Sequence, residues 1–147
     1  MTKSPFGVPH RAIPRLVVPA YFHPTARPAD WASLAERAEQ VRLVILNPAS
    51  GPGTQPDDAW IPVLDRLRAA GVGVVGYVDT NYGRRPQREA MVELGRYLDW
   101  CQVAGVLSDQ VTATRQGISY FAALAGGGRS FGARGVVCKH GVNPSLG

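Results

Sequence analysis

Cysteine is scarce in this chain. Of 147 residues only Cys101 and Cys138 carry thiols. They stand far apart and form neither a CxxC pair nor a zinc-ligand spacing. That pattern excludes a disulfide-scaffolded fold and a structural zinc module. Two free core thiols are expected, with no metal site and no cofactor. Long apolar runs are also missing. No stretch approaches the roughly 20 residues of a membrane span, so no membrane partner is expected. Charge of one sign is only mildly in excess, at +5. The bases are scattered, the densest groups being Arg84, Arg85 and Arg88, and Arg66 with Arg68. Without a basic stripe interleaved with aromatics they read as solvated helix faces, and no nucleic-acid partner is expected. Residues 1–15 have basic residues but no apolar h-region, and they carry Pro5, Pro9 and Pro14. They read as a flexible leader, and a cytoplasmic location is the default expectation.

What the chain does have is 45% hydrophobic residues arranged in a repeating order. That is enough for one domain with a real core, over residues 16–147. Five short apolar runs read as strands: Leu16 to Phe22, Leu43 to Leu46, Val72 to Val78, Ala104 to Leu107, and Gly135 to Cys138. They do not alternate, which suits parallel strands covered on both faces. Helical stripes lie between them. Asp30 is positioned to cap a helix carrying Trp31, Leu34, Ala35 and Ala38. Trp60, Val63, Leu64 and Leu67 mark a second, with Pro62 in its first turn and Gly71 as its left-handed stop. Met91, Leu94, Tyr97, Leu98 and Cys101 mark a third, with Pro86 near its start. Ile118, Phe121, Ala122 and Ala125 mark a fourth, expected to dissolve at Gly126 to Gly128. The three tryptophans Trp31, Trp60 and Trp100 fall on these helices and read as packing.

Strand starts recur about every 30 residues, the length of a βαβ unit. The fold class is therefore α/β with a parallel sheet. A doubly wound five-strand sheet fits the strand count. A (β/α)8 TIM barrel, typically about 250 residues, fits the loops.

In either architecture function collects beyond the C-terminal strand ends. Those positions hold Tyr21, His23 and Pro24; then Asn47 to Gly53; then Tyr77, Asp79, Thr80, Tyr82, Arg84 and Arg85; then Asp109 and Gln110. Aromatic faces, amides and two carboxylates on one rim suit a sugar ring, with its CH faces and paired hydroxyls. Each residue also has a plainer role. Asn47 to Gly53 could be only a turn; its Gly-Pro-Gly is neither GxGxxG nor a P-loop, because Pro48 and Pro52 lack amide donors. Asp79 could cap a turn or pair with Arg84 or Arg85. Asp109 could cap a loop. His23, followed by proline, could be an ordinary loop histidine.

These segments together resemble spherulation-specific family 4, the spherulin-4-like proteins. The resemblance is carried by Val18-Pro19-Ala20-Tyr21 with His23-Pro24, by Val44 to Gly53, by Leu67 to Gly71 running into Gly76 to Arg85, and by Trp100 followed by Gly105 to Gln110. Gly76 to Arg85 is the most specific block. The resemblance implies a (β/α)8 barrel and, from fungal relatives, hydrolysis of α-1,4-linked N-acetylgalactosamine polymers. It places Asp109 on the aspartate of the family's Asp-Glu pair and draws Asp79 into the pocket, where it would be the partner carboxylate or a hydroxyl anchor. Tyr21, His23, Asn47, Tyr77, Tyr82, Arg84 and Gln110 would bind a polysaccharide or oligosaccharide.

The chain departs from the family pattern twice. Gln110 stands where the glutamate would be, and an amide cannot exchange a proton or form a glycosyl ester. Further on, Lys139 and His140 replace an expected Asn-Pro, and the sequence stops after about five strands. The expectation is thus a barrel truncated after five strands, with open edges that invite homo-oligomers. A non-catalytic carbohydrate-binding fragment is one alternative. A flavodoxin-like open sheet binding a phosphorylated ligand is the other.

Overall fold

The structure is a computed structural model that describes residues 15–112, 114–130 and 132–140. The expected leader up to residue 14, the Cys138 thiol, the side chains at Lys139 and His140, and the tail from residue 141 lie outside the described residues. Five strands, β1 (Leu16–Ala20), β2 (Val41–Leu46), β3 (Gly73–Asp79), β4 (Gly105–Val111) and β5 (Gly135–His140), alternate with helices α1 (Pro28–Glu36), α2 (Trp60–Ala69), α3 (Gln87–Cys101) and α4 (Arg115–Ser130). Among the described residues no helix is long and apolar enough to cross a membrane.

The strands form one parallel sheet in the order β1-β2-β3-β4-β5. The order never reverses. Crossovers of one hand then place every helix on the same side of the sheet. The main core agrees: Ala20, Val44, Leu46, Val74, Val78 and Val106 from alternate strand positions meet Trp31, Trp60, Leu64, Leu94, Tyr97, Phe121 and Leu124 from the helices. The other side carries a smaller cluster, Ile45, Val75 and Leu107 with Leu43 and Tyr77. This corrects the doubly wound, flavodoxin-like alternative. That fold requires a reversal of strand order and helices on both faces, and neither occurs among the described residues.

Local chemistry explains the element ends. In α2 the buried residues Trp60, Leu64 and Leu67 follow the helical period, Pro62 lies in the first turn, and Gly71 at φ +80° stops the helix as expected. In α1 the expected cap was misplaced. The helix starts at Pro28, whose fixed φ suits a first helical position. Asp30 lies inside the first turn, 3.3 Å from Arg27. Helix α4 does not dissolve at its glycines but runs to Ser130. Its buried stripe, Gly117, Phe121, Leu124 and Gly128, keeps helical spacing through them. A Cβ at Gly127 would collide with the Met91 side chain, so glycine here lets α4 lie against α3. The tryptophans Trp31 and Trp60 are buried, and their rings meet edge to face.

Candidate functional site at the strand ends

Side chains alternate across a strand, so the inner cluster predicts which strand-end residues share its face. Counting on from Ile45, Val75 and Leu107 gives Asn47, Tyr77, Asp79 and Asp109. The register then places them side by side: Leu46 pairs with Gly76, Tyr77 with Leu107, and Asp79 with Asp109. Tyr21 follows β1, whose Ala20 pairs with Leu46. Tyr21, Asn47, Tyr77, Asp79 and Asp109 thus gather at one end of the helix-free face.

Asp109 is held on two sides. The Tyr77 hydroxyl donates to its Oδ2 at 3.1 Å, and the Gln110 amide donates to its Oδ1 at 2.8 Å. Burial, and then the Asp109 charge, pushes the Tyr77 phenol well above the usual tyrosine range. Tyr77 therefore stays protonated and remains a donor. Tyr21 meets Tyr77 edge to face at 6.0 Å and is half exposed.

The other strand-end residues divide by partner. The Asp79 carboxylate accepts the Asn81 amide at 2.8 Å, closing an Asx turn, so the plainer role considered for it is real. It is not the partner of Arg84 or Arg85. The Asn47 Oδ1 accepts the Gly51 amide at 2.7 Å. That bond occupies the Gly51 amide, and Pro48 and Pro52 have none to offer, which argues against a phosphate cradle of the kind a helix N-terminus provides. Tyr82 lies in a 3-10 turn over Asn81–Gly83 with a left-handed φ of 56°. Arg84, just beyond, is exposed.

Arg85, not Arg84, is the structural arginine. Its guanidinium forms a two-pronged pair with Glu93 at 2.6 and 2.9 Å and also donates to the Asp79 carbonyl at 3.0 Å. Glu93 in turn lies against Gly51, where an added Cβ would stand 3.0 Å from its Oε1. One ion pair thus joins α3 to the loops after β2 and β3. The signal available in sequence was the i, i+4 spacing of Arg85 and Glu89, which are 3.5 Å apart.

His23 belongs to a different cluster. Its Nε2 is 2.7 Å from Asp57 and its Nδ1 2.7 Å from Thr25, with the ring against Trp60. It ties the loop after β1 to the loop before α2, the plainer of its two expected roles. Asp57 carried no motif and was not legible in sequence. The bond from His23 holds the Asp57 carboxyl below its usual 3.8, helped by the Ala59 amide. A depressed folded-state value means this tie is fully present above pH 3.8 and is lost as pH falls through the lower folded value. In His23→Gln, carbon-detected NMR titration should show the Asp57 midpoint rising toward 3.8. An unmoved midpoint would show that the Ala59 amide alone sets it.

Among the described residues no group of three or more His, Cys, Asp or Glu side chains could hold a metal ion. Cys101 is buried and free, its thiol pushed up to about 11 by burial.

Comparison with known proteins agrees with this architecture. Over 111 residues the chain is 35% identical to Spherulin-4 of Physarum polycephalum, covering 73% of this chain and 32% of that protein. It superposes on Sph3 of Aspergillus clavatus, solved in complex with GalNAc, with a TM-score of 0.78 and 24% identity, over 91% of this chain and 60% of that one. The chain thus spans about a third of the curated relative and under two thirds of the solved one. The second likeness establishes the α/β fold. Spherulation-specific family 4 matches residues 15–141, nearly the whole chain, and the protein belongs to that family.

Proposed function

We propose that the five strands and four helices form part of a (β/α)8 barrel, and that the rim at the strand ends binds and cleaves an amino-sugar polysaccharide of the galactosaminan type. The observation that carries this reading is the convergence of Tyr21, Asn47, Tyr77, Asp79 and Asp109 on the helix-free face, which is the interior side of a barrel. The unreversed strand order and the likeness to Sph3, which was solved with GalNAc, support it. Tyr21 and Tyr77 would stack on sugar CH faces. Asn47, Gln110, Tyr82 and Arg84 would bond hydroxyl or acetamido groups. Asp109 would act as acid/base or nucleophile, with Asp79 as the second carboxylate. Asp79 and Asp109 are register partners on neighbouring strands, whose backbones run about 4.8 Å apart. Retaining glycosidases likewise use two closely spaced carboxyl groups.

A second reading, glycan binding without cleavage, is favoured by one specific observation: the residue beside Asp109 is Gln110, an amide that can bond a sugar group but cannot exchange a proton. Incubation with partly deacetylated and fully acetylated galactosaminan, followed by oligosaccharide detection, separates the two. Released oligosaccharide is the expected outcome. Retention of the polymer on the protein without release would favour the binding reading, and neither binding nor release would overturn both.

A further inference from the structure

The two neighbouring residues Asp109 and Gln110 raise a geometrical problem. In a regular strand adjacent side chains point to opposite faces, so a consecutive pair cannot serve one site. The burial along β4 shows how the chain departs from that rule. Leu107 belongs to the inner cluster and Val106 to the helix-side core, as alternation requires. Val111 should then follow Leu107 and Asp109 onto the inner face. It lies in the helix-side core instead. One residue has been inserted between them. The β4–β5 register shifts between Ser108 and Val111, and Gln110 has φ +55°. This is a bulge with a left-handed non-glycine residue, a conformation that disfavours glutamine. Both Asp109 and Gln110 emerge partly exposed, between buried Ser108 and buried Val111.

Such a conformation persists only where its surroundings impose it. Thr80 does so. It is fully buried. Its hydroxyl stands 2.9 Å from the Asp109 carbonyl and 3.2 Å from the Gln110 carbonyl, and its amide donates to the Asp109 carbonyl at 3.3 Å. The hydroxyl has one proton, shared between the two carbonyls on either side of the strained residue. Thr80 is itself pinned, because its carbonyl accepts the Gly83 amide at 2.9 Å and the Arg85 amide at 3.3 Å. We propose that Thr80 is a positioning residue: its hydroxyl clamps the β4 bulge and so presents Asp109 and Gln110 side by side on the rim. That the presented pair meets a glycan rests on the function proposed above; the clamp does not.

The test compares Thr80→Val, which keeps the shape and removes the hydroxyl, with Thr80→Ser, which keeps the hydroxyl. Amide hydrogen exchange at Gln110, relative to Ile45 and Val75 in the sheet, reads the clamp without any sugar. Thr80→Val should speed Gln110 exchange by about tenfold, the worth of one buried hydrogen bond, while Ile45 and Val75 keep their protection. Thr80→Ser should restore it. In parallel, binding of N-acetylgalactosamine oligosaccharide should weaken in Thr80→Val and recover in Thr80→Ser. Selective exchange at Gln110 with no sugar bound by the unsubstituted protein would uphold the clamp and remove the glycan reading. Unchanged Gln110 exchange, or equal acceleration across the sheet, would overturn the clamp. Should Thr80→Val fail to fold, the double variant with Gln110→Gly, where the left-handed cost is gone, is expected to fold. Failure of both would overturn the proposal by placing Thr80 in global packing.

Discussion

Gly76→Ala is expected to destabilise the protein by about 3 kcal/mol, near the upper end of overpacking costs. The Cβ that alanine would add points from β3 into the ring of Tyr97, with Cδ1 and Cδ2 both 2.5 Å away. Tyr97 cannot step aside. It is fully buried among the core residues of α3, and its hydroxyl donates to the Leu46 carbonyl at 3.3 Å, so the ring lies flat across β2 and β3. Burial also pushes its phenol far above the usual range, so it remains a donor across the pH range of folding. The alternative to moving the ring is moving β3, and that would break pairing on both sides, since Gly76 is paired with Leu46 and Val106. Urea unfolding should show the midpoint falling by about 1–2 M, taking roughly 2 kcal/mol per molar as the slope. Combining Gly76→Ala with Tyr97→Val should cost less than the sum of the single changes, because the collision is the coupling between the two sites. An unchanged midpoint in Gly76→Ala would mean that the ring has room that the geometry denies it.

The same contact shows what could be read from sequence and what could not. The five apolar runs and the stripes between them lie where strands and helices form, because burial on two faces leaves a continuous apolar run and burial on one leaves a helical period. Gly76 was visible inside its run, but its purpose was not, since the Tyr97 that requires it is 21 positions away in another element. Gly126 to Gly128 were misread for a related reason. Glycine usually ends a helix, and only the third dimension reveals Met91 lying over Gly127. Asp30 was misread as a cap because Pro28 competes for the same helix start and prevails by its fixed φ.

At the rim, Tyr21, Asn47, Tyr77, Asp79 and Asp109 were legible because strand ends in α/β folds are where function collects. The bulge was not. The apolar run ends at Leu107, so Asp109 and Gln110 read as residues beyond a strand, and glutamine carries no left-handed signal. Thr80 and Arg85 were legible as strand-end residues, but the backbone carbonyls they bond were not, since such partners leave only a spatial signature.

Asp109→Asn is expected to lower polysaccharide cleavage by about 10²–10⁴, the usual worth of a positioned acid/base, with little change in stability. The two effects separate because of what asparagine keeps. Its carbonyl oxygen still accepts the Gln110 amide that Asp109 Oδ1 accepts now, so the bulge is retained. The amide group facing Tyr77 cannot accept as Oδ2 does, but the Tyr77 hydroxyl lies near the open rim, where water can replace the lost partner. What asparagine loses is the proton exchange and the nucleophilic oxygen that glycoside cleavage requires. Tyr77 reports the same change independently. Removal of the Asp109 charge should lower its titration, while burial, the larger cause, keeps it above the normal range. Gln110→Glu completes the comparison. If Asp79 supplies the second carboxylate, an added acid at residue 110 changes the rate little, and Asp79→Asn falls alongside Asp109→Asn. If the second carboxylate is the group the chain lacks, Gln110→Glu raises the rate and Asp79→Asn leaves it nearly unchanged. The expected pattern is the first, because Asp79 and Asp109 are register partners on neighbouring strands, whereas residue 110 reaches the rim only through the bulge. Cleavage that survives Asp109→Asn would remove Asp109 from the chemistry and leave the rim as a binding surface.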